Sequence, residues 1–259
     1  MPRFSVIIPT YGRPGFLAEA ISSVIVQTID DFEVIVVDDA SPEPVELQTD
    51  DLRVHLVRRE VNGGPAAARN TGIEFSGGDH LAFLDDDDWY EPGRLEMAQN
   101  YDTDVALCWS APNGRVINGV PGGDLVASTV PHLGVATIRR DAILPLDESF
   151  RTVEDVEWWI RMSDRQFRTI PEVGYNLRKH DSVRLGYGMT ERINGSYRLL
   201  QHHADFFAKW PRAAAYRWRW IGAAALQVGD RRAARAALAR SLRMDPSLGT
   251  ARLLARSLR

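Results

Sequence analysis

Four consecutive aspartates, Asp85, Asp86, Asp87 and Asp88, carry the clearest chemical signal in the sequence. They directly follow the apolar residues 81–84, which predict a buried strand. Four like charges held together repel one another unless a cation compensates, and carboxylate oxygens are preferred ligands of hard divalent cations. The run therefore predicts a divalent metal that carries a phosphorylated substrate, with a solvated acidic loop as the alternative.

Two further polar clusters also follow predicted strands. Residues 10–13 (Thr-Tyr-Gly-Arg) come after an apolar strand over residues 4–8, and Asp38-Asp39 come after a strand over residues 32–37. A cap on a turn or on the next helix is the alternative role for an aspartate after a strand. Another short strand is predicted over residues 54–57.

Helical spacing of apolar residues predicts helices over residues 15–27 and 65–75, between these strands. Alternating strands and helices predict an α/β fold with a Rossmann-like, doubly wound, mostly parallel sheet. Such sheets bind ligands beyond the carboxyl ends of their strands, where all three polar clusters are expected to meet. This arrangement predicts a site for a nucleotide and a metal ion.

The composition is that of an ordinary globular protein, with 44% hydrophobic and 25% charged residues in 259. Cys108 is the single cysteine and is expected to be a buried, inert thiol, which favours a reducing compartment. No signal peptide and no membrane-length apolar stretch is evident, so a cytoplasmic protein is expected. His202 and His203 are expected to be surface residues.

The carboxyl-terminal segment differs in charge from the rest of the chain. Residues 212–259 hold 11 arginines against two aspartates, a formal charge of +9, although the whole chain carries −4. Two domains are therefore predicted: a catalytic domain over 1–211, and an Arg-rich helical extension over 212–259 that resembles a tetratricopeptide-like helix pair. The extension is expected to stabilise or localise the protein, and a peripheral membrane or protein contact is possible.

Five ordered motifs resemble those of family 2 glycosyltransferases. They are residues 4–28 (with Val-Ile-Ile-Pro-Thr-Tyr-Gly-Arg-Pro), 36–41 (Val-Val-Asp-Asp-Ala-Ser), 64–70 (Gly-Pro-Ala-Ala-Ala-Arg-Asn), 83–88 (Phe-Leu-Asp-Asp-Asp-Asp) and 154–159 (Glu-Asp-Val-Glu-Trp-Trp). The resemblance covers residues 3–185 and leaves out the basic tail. It implies the GT-A fold and inverting transfer of a hexosyl group from a nucleotide-diphosphate sugar.

The resemblance also implies roles for individual residues. Those expected to bind the donor are Pro9, Thr10, Tyr11, Arg13, Asp39, Arg69, Asp85 and Asp86. Asp39 would accept from the base, and either Asp85 or Asp86 would contact the ribose. Asp87 would bind Mn²⁺ or Mg²⁺, and His180 resembles a late histidine that completes the metal site in part of the family.

Asp155 matches the catalytic base of the family. Direct displacement requires a base that takes the proton of the acceptor hydroxyl, and the helix dipole favours a charged carboxylate in the first turn of a helix. An N-terminal helix cap is the alternative role. The neighbouring Trp158 and Trp159 would either pack in the core or form the wall of a sugar site.

The sequence thus favours a metal-dependent, inverting glycosyltransferase. A UDP-sugar is the expected donor, and a hydroxyl of a carbohydrate, a lipid-linked molecule or another compound is the expected acceptor. Nucleic acid is a poor partner for a chain whose main body is acidic. The alternatives are a sugar-phosphate nucleotidyltransferase, which would need a triphosphate-binding first loop, and a catalytically silent nucleotide-sugar-binding or scaffold protein.

Overall fold

The structure is a computed structural model of the chain, and it describes residues 2–101, 103–109, 115–178 and 188–258. The chain divides into two compact units. The first unit comprises Met1–Pro121, Pro131–Ser149 and Asp164–Asp181, and the second comprises Gly122–Val130, Phe150–Ser163 and Ser182–Arg259. The predicted domain boundary between residues 211 and 212 remains a prediction, and the second unit contains residues from both sides of it.

The first unit contains the strands and three helices. In chain order they are β1 (Phe4–Thr10), α1 (Pro14–Ile25), β2 (Phe32–Asp38), β3 (Val54–Arg58), α2 (Pro65–Phe75), β4 (His80–Phe83), β5 (Trp89–Tyr90), α3 (Arg94–Gln99), β6 (Val105–Cys108), β7 (Ala136–Arg139), β8 (Phe167–Ile170) and β9 (Tyr175–Asn176). Pro14 and Pro65 each stand in the first turn of a helix, where the missing N–H costs nothing.

Seven strands form one mostly parallel sheet in the order β3-β2-β1-β4-β7-β6-β8. β1 pairs in parallel with both β2 and β4, whereas β7 pairs antiparallel with β4 and β6. β5 and β9 form a separate antiparallel pair. The central strands are buried on both faces, as their near-continuous apolar sequences predict. The predicted α/β fold with a mostly parallel sheet is confirmed.

The second unit is helical. Its helices are α4 (Glu154–Met162), α5 (Met189–His202), α6 (Ala204–Lys209), α7 (Pro211–Gln227), α8 (Arg231–Met244) and α9 (Leu248–Ser257), preceded by a short 3-10 helix over Gly122–Val126. The core shared by α5, α7 and α8 contains Ile193, Ile221 and several alanines. Gly229, with a φ of 82°, makes the predicted turn between α7 and α8.

Two side-chain expectations are settled by burial. Trp158 and Trp159 are both fully buried, with ring centroids 4.8 Å apart, so both pack in the core. Cys108 is buried as predicted, and burial raises the pKa of its thiol. Within the described residues, none of the helices combines the length and the apolar character that a membrane-spanning segment needs.

Candidate functional site

The predicted polar clusters meet at one edge of the sheet. Thr10, the last residue of β1, stands beside Asp38, the last residue of β2. On the other side of β1, Phe83 at the end of β4 pairs with Ile7, and Leu84 N–H donates to the Ile7 carbonyl over 3.0 Å. The parallel pairing of three strands therefore brings residues 10–13, 38–39 and 85–88 to the same carboxyl edge.

The four aspartates form a tight turn, called here the acidic turn. Asp88 N–H donates to the carbonyl of Asp85 over 3.1 Å, which places Asp86 and Asp87 at the corner of the turn. A turn of this kind directs successive side chains to different sides. Asp85 and Asp88 accordingly have partners different from those of Asp86 and Asp87, and the protein's own arginines reduce part of the repulsion among the four carboxylates.

Asp86 and Asp87 face the loop that follows β1. The Thr10 hydroxyl donates to Asp86 Oδ2 over 2.7 Å, and Arg13 Nη1 lies 3.3 Å from Asp86 and 2.8 Å from Asp87. Burial raises the pKa of Asp86 to about 6, although the hydrogen bond from Thr10 and the charge of Arg13 oppose this rise. These contacts bring the loop after β1 to the acidic turn, where the strand order predicted that the polar clusters meet.

Asp85 instead contacts Arg69 on α2. Arg69 Nη2 lies 2.7 Å from Asp85 Oδ1, and the Arg69 side chain is only 6% exposed. α2 comes close enough because Gly72 packs directly on β1: a Cβ at Gly72 would lie 2.2 Å from Cγ2 of Ile7. The missing side chain of Gly72 thus lets α2 deliver Arg69 to the acidic turn.

Asp88 has partners from a later part of the chain. Its carboxylate accepts from the hydroxyl of Tyr175 on β9 and from the backbone N–H of Arg178, at 2.8 Å for the latter. The Tyr175 hydroxyl also lies 2.9 Å from Nδ1 of His132, whose Nε2 is 3.6 Å from Asp85 Oδ2. Burial raises the pKa of Asp88 and of Tyr175.

Asp38 and Asp39 organise the loops beside this edge. Asp38 is buried and accepts from Ser41 N–H over 2.8 Å, so it caps a turn, the alternative that the sequence left open. Asp39 accepts from the N–H groups of Gly63 and Gly64 over 2.9 and 2.7 Å. The next residue, Ala40, has a left-handed φ of 60°.

The two remaining residues of the predicted donor site lie on and just after β1. Pro9 is on β1, in register with Val37 of β2. Tyr11 follows the strand and is 49% exposed.

Asp155 belongs to the second unit, where it lies in the first turn of α4. Its Oδ1 accepts from Val156 N–H over 2.8 Å. The residue before the helix, Val153, has a left-handed φ of 58°, which is costly for a β-branched side chain. Arg217 on α7 is buried; burial lowers the pKa of its guanidinium, and the attraction of Asp155 opposes that change.

Glu157 anchors an ion-pair cluster inside the second unit. Both of its oxygens contact Arg161 at 2.7 Å, and Nε2 of His203 lies 3.1 Å from Oε1. The side chain of His203 is only 13% exposed, so the sequence-based expectation of a surface residue was wrong for it. Glu157, His202 and His203 have ligand atoms within 4.8 Å of one another, but Arg161 already neutralises this carboxylate.

Comparisons with known proteins find a family and several relatives that match part of the chain. Residues 5–113 match the family described as Glycosyl transferase family 2. The succinoglycan biosynthesis protein ExoW of Rhizobium meliloti (strain 1021) is 36% identical over 165 residues, which are 60% of this chain and 48% of ExoW. Residues 5–113, which are less than half of the chain, are thus similar to glycosyltransferase family 2. The chain spans about half the length of ExoW.

Solved structures confirm the fold of the chain. S. aureus TarS superimposes with a TM-score of 0.64 at 17% identity, covering 98% of this chain and 50% of TarS. The mannosyltransferase PcManGT of Pyrobaculum calidifontis, solved in complex with GDP-Man and Mn²⁺, gives 0.61 at 22% identity, covering 99% and 79%. A shorter TarS, residues 1–349, was solved with UDP-GlcNAc and gives 0.58 at 18% identity, covering 100% and 80%.

The family match includes the loops that follow β1, β2 and β4, but it ends before three of the residues described above. Asp155, His132 and Tyr175 all lie beyond residue 113. His132 and Tyr175 were not found from the sequence, because neither stands in a recognisable motif. Only their shared contact with the acidic turn reveals them. His180, the predicted metal ligand, lies outside the described residues.

Proposed function

We propose that the chain transfers a hexosyl group from a nucleotide-diphosphate sugar, with a UDP-sugar as the donor, to a hydroxyl acceptor. The observation that carries this proposal is the convergence of Thr10, Arg13 and Arg69 on the acidic turn at the carboxyl edge of the sheet. Two arginines beside four carboxylates suit a ligand that combines phosphate groups with a cation. The fold neighbours support it, since TarS was solved with UDP-GlcNAc and PcManGT with GDP-Man.

The donor would lie against the loops that follow β1, β2 and β4. Tyr11 offers an exposed aromatic surface for the base or ribose beside Pro9. Asp39 holds the Gly63-Gly64 turn by two hydrogen bonds, and its carboxylate has further acceptor capacity for a base N–H. Asp85 and Asp86 share the ribose assignment, and Arg69 would contact the diphosphate or the base.

The residues of the acidic turn fit a divalent cation by their chemistry, because carboxylate oxygens are the ligands that Mn²⁺ and Mg²⁺ accept. Asp87 would hold the ion, together with a second carboxylate of the turn. When bound, the cation offsets the negative charge that grows on the leaving diphosphate. Arg13 and Arg69 add fixed positive charge at the same edge.

Asp155 would act as the general base. Its carboxylate would take the acceptor hydroxyl's proton as that oxygen attacks the anomeric carbon, while the bond to the diphosphate breaks. One displacement inverts the anomeric configuration. The amino-terminal end of α4 and the buried guanidinium of Arg217 both attract a negative charge at this position.

The Arg-rich extension would place the enzyme at an anionic membrane surface. α8 contains five arginines and no acidic residue. Arg232, Arg235 and Arg243 are exposed on the side of α8 away from its buried alanines. A basic helix face of this kind is attracted to anionic lipid headgroups, which would bring the enzyme to a lipid-linked acceptor.

Nucleotide-sugar turnover by the full chain tests the proposed function. UDP-GlcNAc, UDP-glucose and GDP-mannose are incubated with Mn²⁺, and release of the nucleoside diphosphate is measured. Diphosphate release that Asp155→Asn abolishes supports the proposal. Pyrophosphate release from a nucleoside triphosphate and a sugar phosphate would indicate a nucleotidyltransferase instead. Tight donor binding without turnover, including in the presence of mixed glycan acceptors, would indicate a silent binding protein.

A further inference from the structure

His132 lies beside the acidic turn although it comes from the segment before β7. Its Nε2 is 3.6 Å from Asp85 Oδ2, and its side chain is about one-third exposed. Asp85 already has a cationic partner in Arg69, at 2.7 Å.

Tyr175 fixes the orientation of this imidazole. The two rings stack with centroids 5.3 Å apart and an interplanar angle of 28°. Tyr175 is itself immobilised: it is fully buried, belongs to β9, and packs on Gly134 so tightly that a Cβ there would lie 2.1 Å from its ring. The direction of His132 is thus set by the core and not by a surface rotamer.

The hydrogen bonds also set which ring nitrogen carries the proton. A phenol has one hydrogen, and the Tyr175 hydroxyl donates it to Asp88. The Tyr175 oxygen therefore accepts from Nδ1–H of His132 over 2.9 Å. In the neutral ring, Nε2 then carries a lone pair that faces the Asp85 carboxylate. A lone pair 3.6 Å from a carboxylate oxygen is unfavourable unless positive charge lies between the two atoms, either a proton on Nε2 or a metal ion.

This is the arrangement in which histidine binds metals. A metal-ligating imidazole donates its other N–H to an oriented acceptor, which fixes the tautomer and the ring. Here Tyr175 is that acceptor, and Asp88 orients Tyr175 in turn. Ligand atoms of Asp85, Asp88 and His132 all lie within 4.8 Å of one another.

We propose that Nε2 of His132 is a ligand of the divalent cation at the acidic turn, next to Asp85, and that it makes this site selective for Mn²⁺ over Mg²⁺. The inference rests on the proposed function only in placing the cation beside the donor diphosphate. Imidazole nitrogen suits transition metals, whereas Mg²⁺ strongly prefers oxygen and retains its waters. Tyr175 and Asp88 are positioning residues, because they act through His132.

Pulsed electron paramagnetic resonance of the full chain with Mn²⁺ alone tests the ligand directly. The wild-type protein should show ¹⁴N modulation from a bound imidazole, and His132→Gln should lose it. Mn²⁺ affinity should fall in His132→Gln by at least about tenfold and Mg²⁺ affinity by less. The matched control is His55→Gln, an exposed histidine on β3, which should leave the spectrum unchanged.

Tyr175→Phe provides a second variant that keeps the ring and its packing but removes the acceptor for Nδ1–H. Loss of such a partner typically lowers metal affinity about 10–100-fold, so Mn²⁺ should bind more weakly while the ¹⁴N signal remains. Circular dichroism confirms that each variant is folded.

Three results would overturn the proposal: ¹⁴N modulation that survives in His132→Gln, modulation that is lost only in His180→Gln, or no Mn²⁺ binding by the wild type. Nucleotide-sugar turnover is measured separately. If the chain transfers sugar although His132 does not bind the metal, the proposed function stands and only the proposal about His132 is wrong.

Discussion

The guanidinium of Arg13 lies 2.8 Å from the carboxylate of Asp87, the residue proposed to hold the divalent cation. The protein therefore places its own positive charge on the proposed metal ligand. A bound cation would repel this guanidinium, whereas the diphosphate of a donor would attract it. We therefore expect metal and nucleotide to bind cooperatively. The diphosphate would attract the Arg13 guanidinium that the cation repels, so each ligand would favour binding of the other.

Arg13→Gln should separate the two binding events. Without the guanidinium, Mn²⁺ alone should bind about fivefold more tightly, the effect of removing a partly exposed charge worth ~1 kcal/mol. UDP should bind more weakly in the presence of Mn²⁺, because a phosphate contact is lost. Calorimetric titrations with each ligand measure both changes. Weaker binding of Mn²⁺ alone would contradict the competition between Arg13 and the cation.

Asp155→Asn tests the general base. Asparagine keeps the size of the side chain but cannot take a proton, so transfer should slow by about 10²–10⁴-fold. Donor affinity should hardly change, because the base meets the acceptor. Asp87→Ala is the contrasting variant and should weaken donor binding as well as rate. Near wild-type transfer by Asp155→Asn would move the assignment to Glu154, since Glu157 is buried in its ion pair.

Glu157 should make stability depend on pH. Burial raises the pKa of Glu157, but hydrogen bonds from His203 and Arg161 outweigh it and hold the pKa below the ordinary 4.5. Because folding lowers this pKa, the charged carboxylate of Glu157 stabilises the folded protein above about pH 4.5. That stabilisation is lost as the pH falls through the pKa of Glu157 in the folded state.

Urea unfolding at several pH values measures the contribution of Glu157. Glu157→Gln should cost about 3 kcal/mol at pH 7, because it breaks a buried ion pair, and should flatten the acid dependence. The exposed Glu172→Gln serves as the control and should keep the wild-type slope. An unchanged slope in Glu157→Gln would assign the acid sensitivity to other carboxyls.

Arg217 tests whether the extension takes part in chemistry. The sequence-based expectation was that it only stabilises or localises the enzyme, yet Arg217 on α7 is buried and interacts electrostatically with Asp155. Arg217→Met keeps the length of the side chain and removes its charge, so turnover at saturating donor should fall about tenfold. Arg217→Lys should retain most of it. Wild-type turnover by a folded Arg217→Met would support the original expectation.

Vesicle binding tests the basic face of α8. The triple variant Arg232→Gln, Arg235→Gln and Arg243→Gln should bind vesicles of phosphatidylcholine and phosphatidylglycerol on the order of 100-fold more weakly, about fivefold per arginine. A higher salt concentration should likewise weaken vesicle binding by the wild-type protein. Arg168→Gln, an exposed arginine on β8, is the single-site control. Equal binding to neutral vesicles, or capture of a protein without lipid, would contradict the membrane contact.

The amino-terminal third of the fold could be predicted because its strands are buried on both faces. β1 and β2 are almost continuously apolar, and α1 and α2 begin at prolines, so their bounds were predicted within two residues. The later sheet could not be predicted in this way. β7 has four residues and no periodicity, and it enters between β4 and β6 only because pairing with both completes the sheet.

The site shows the same division. Thr10 and Arg13 were expected beside the acidic turn because parallel strands bring their carboxyl ends together. Tyr175 was not expected, because it lies on β9, whose pairing with β5 involves two residues on each strand. His132 was not expected either, because only its contact with Tyr175 and its proximity to Asp85 relate it to the site. Short pairings of this kind leave no pattern in the sequence, although they deliver side chains to the site.

Ala40 and Val153 are the described non-glycine residues whose backbone is left-handed, and each stands within two positions of a proposed site carboxylate, Asp39 or Asp155. That conformation costs roughly 1–2 kcal/mol per residue, which glycine would not lose. A laboratory selection for heat resistance alone would therefore favour replacements at these two positions. A selection for turnover would retain Ala40 and Val153. The two selections would therefore give different residues at these positions, next to the carboxylates proposed for the chemistry.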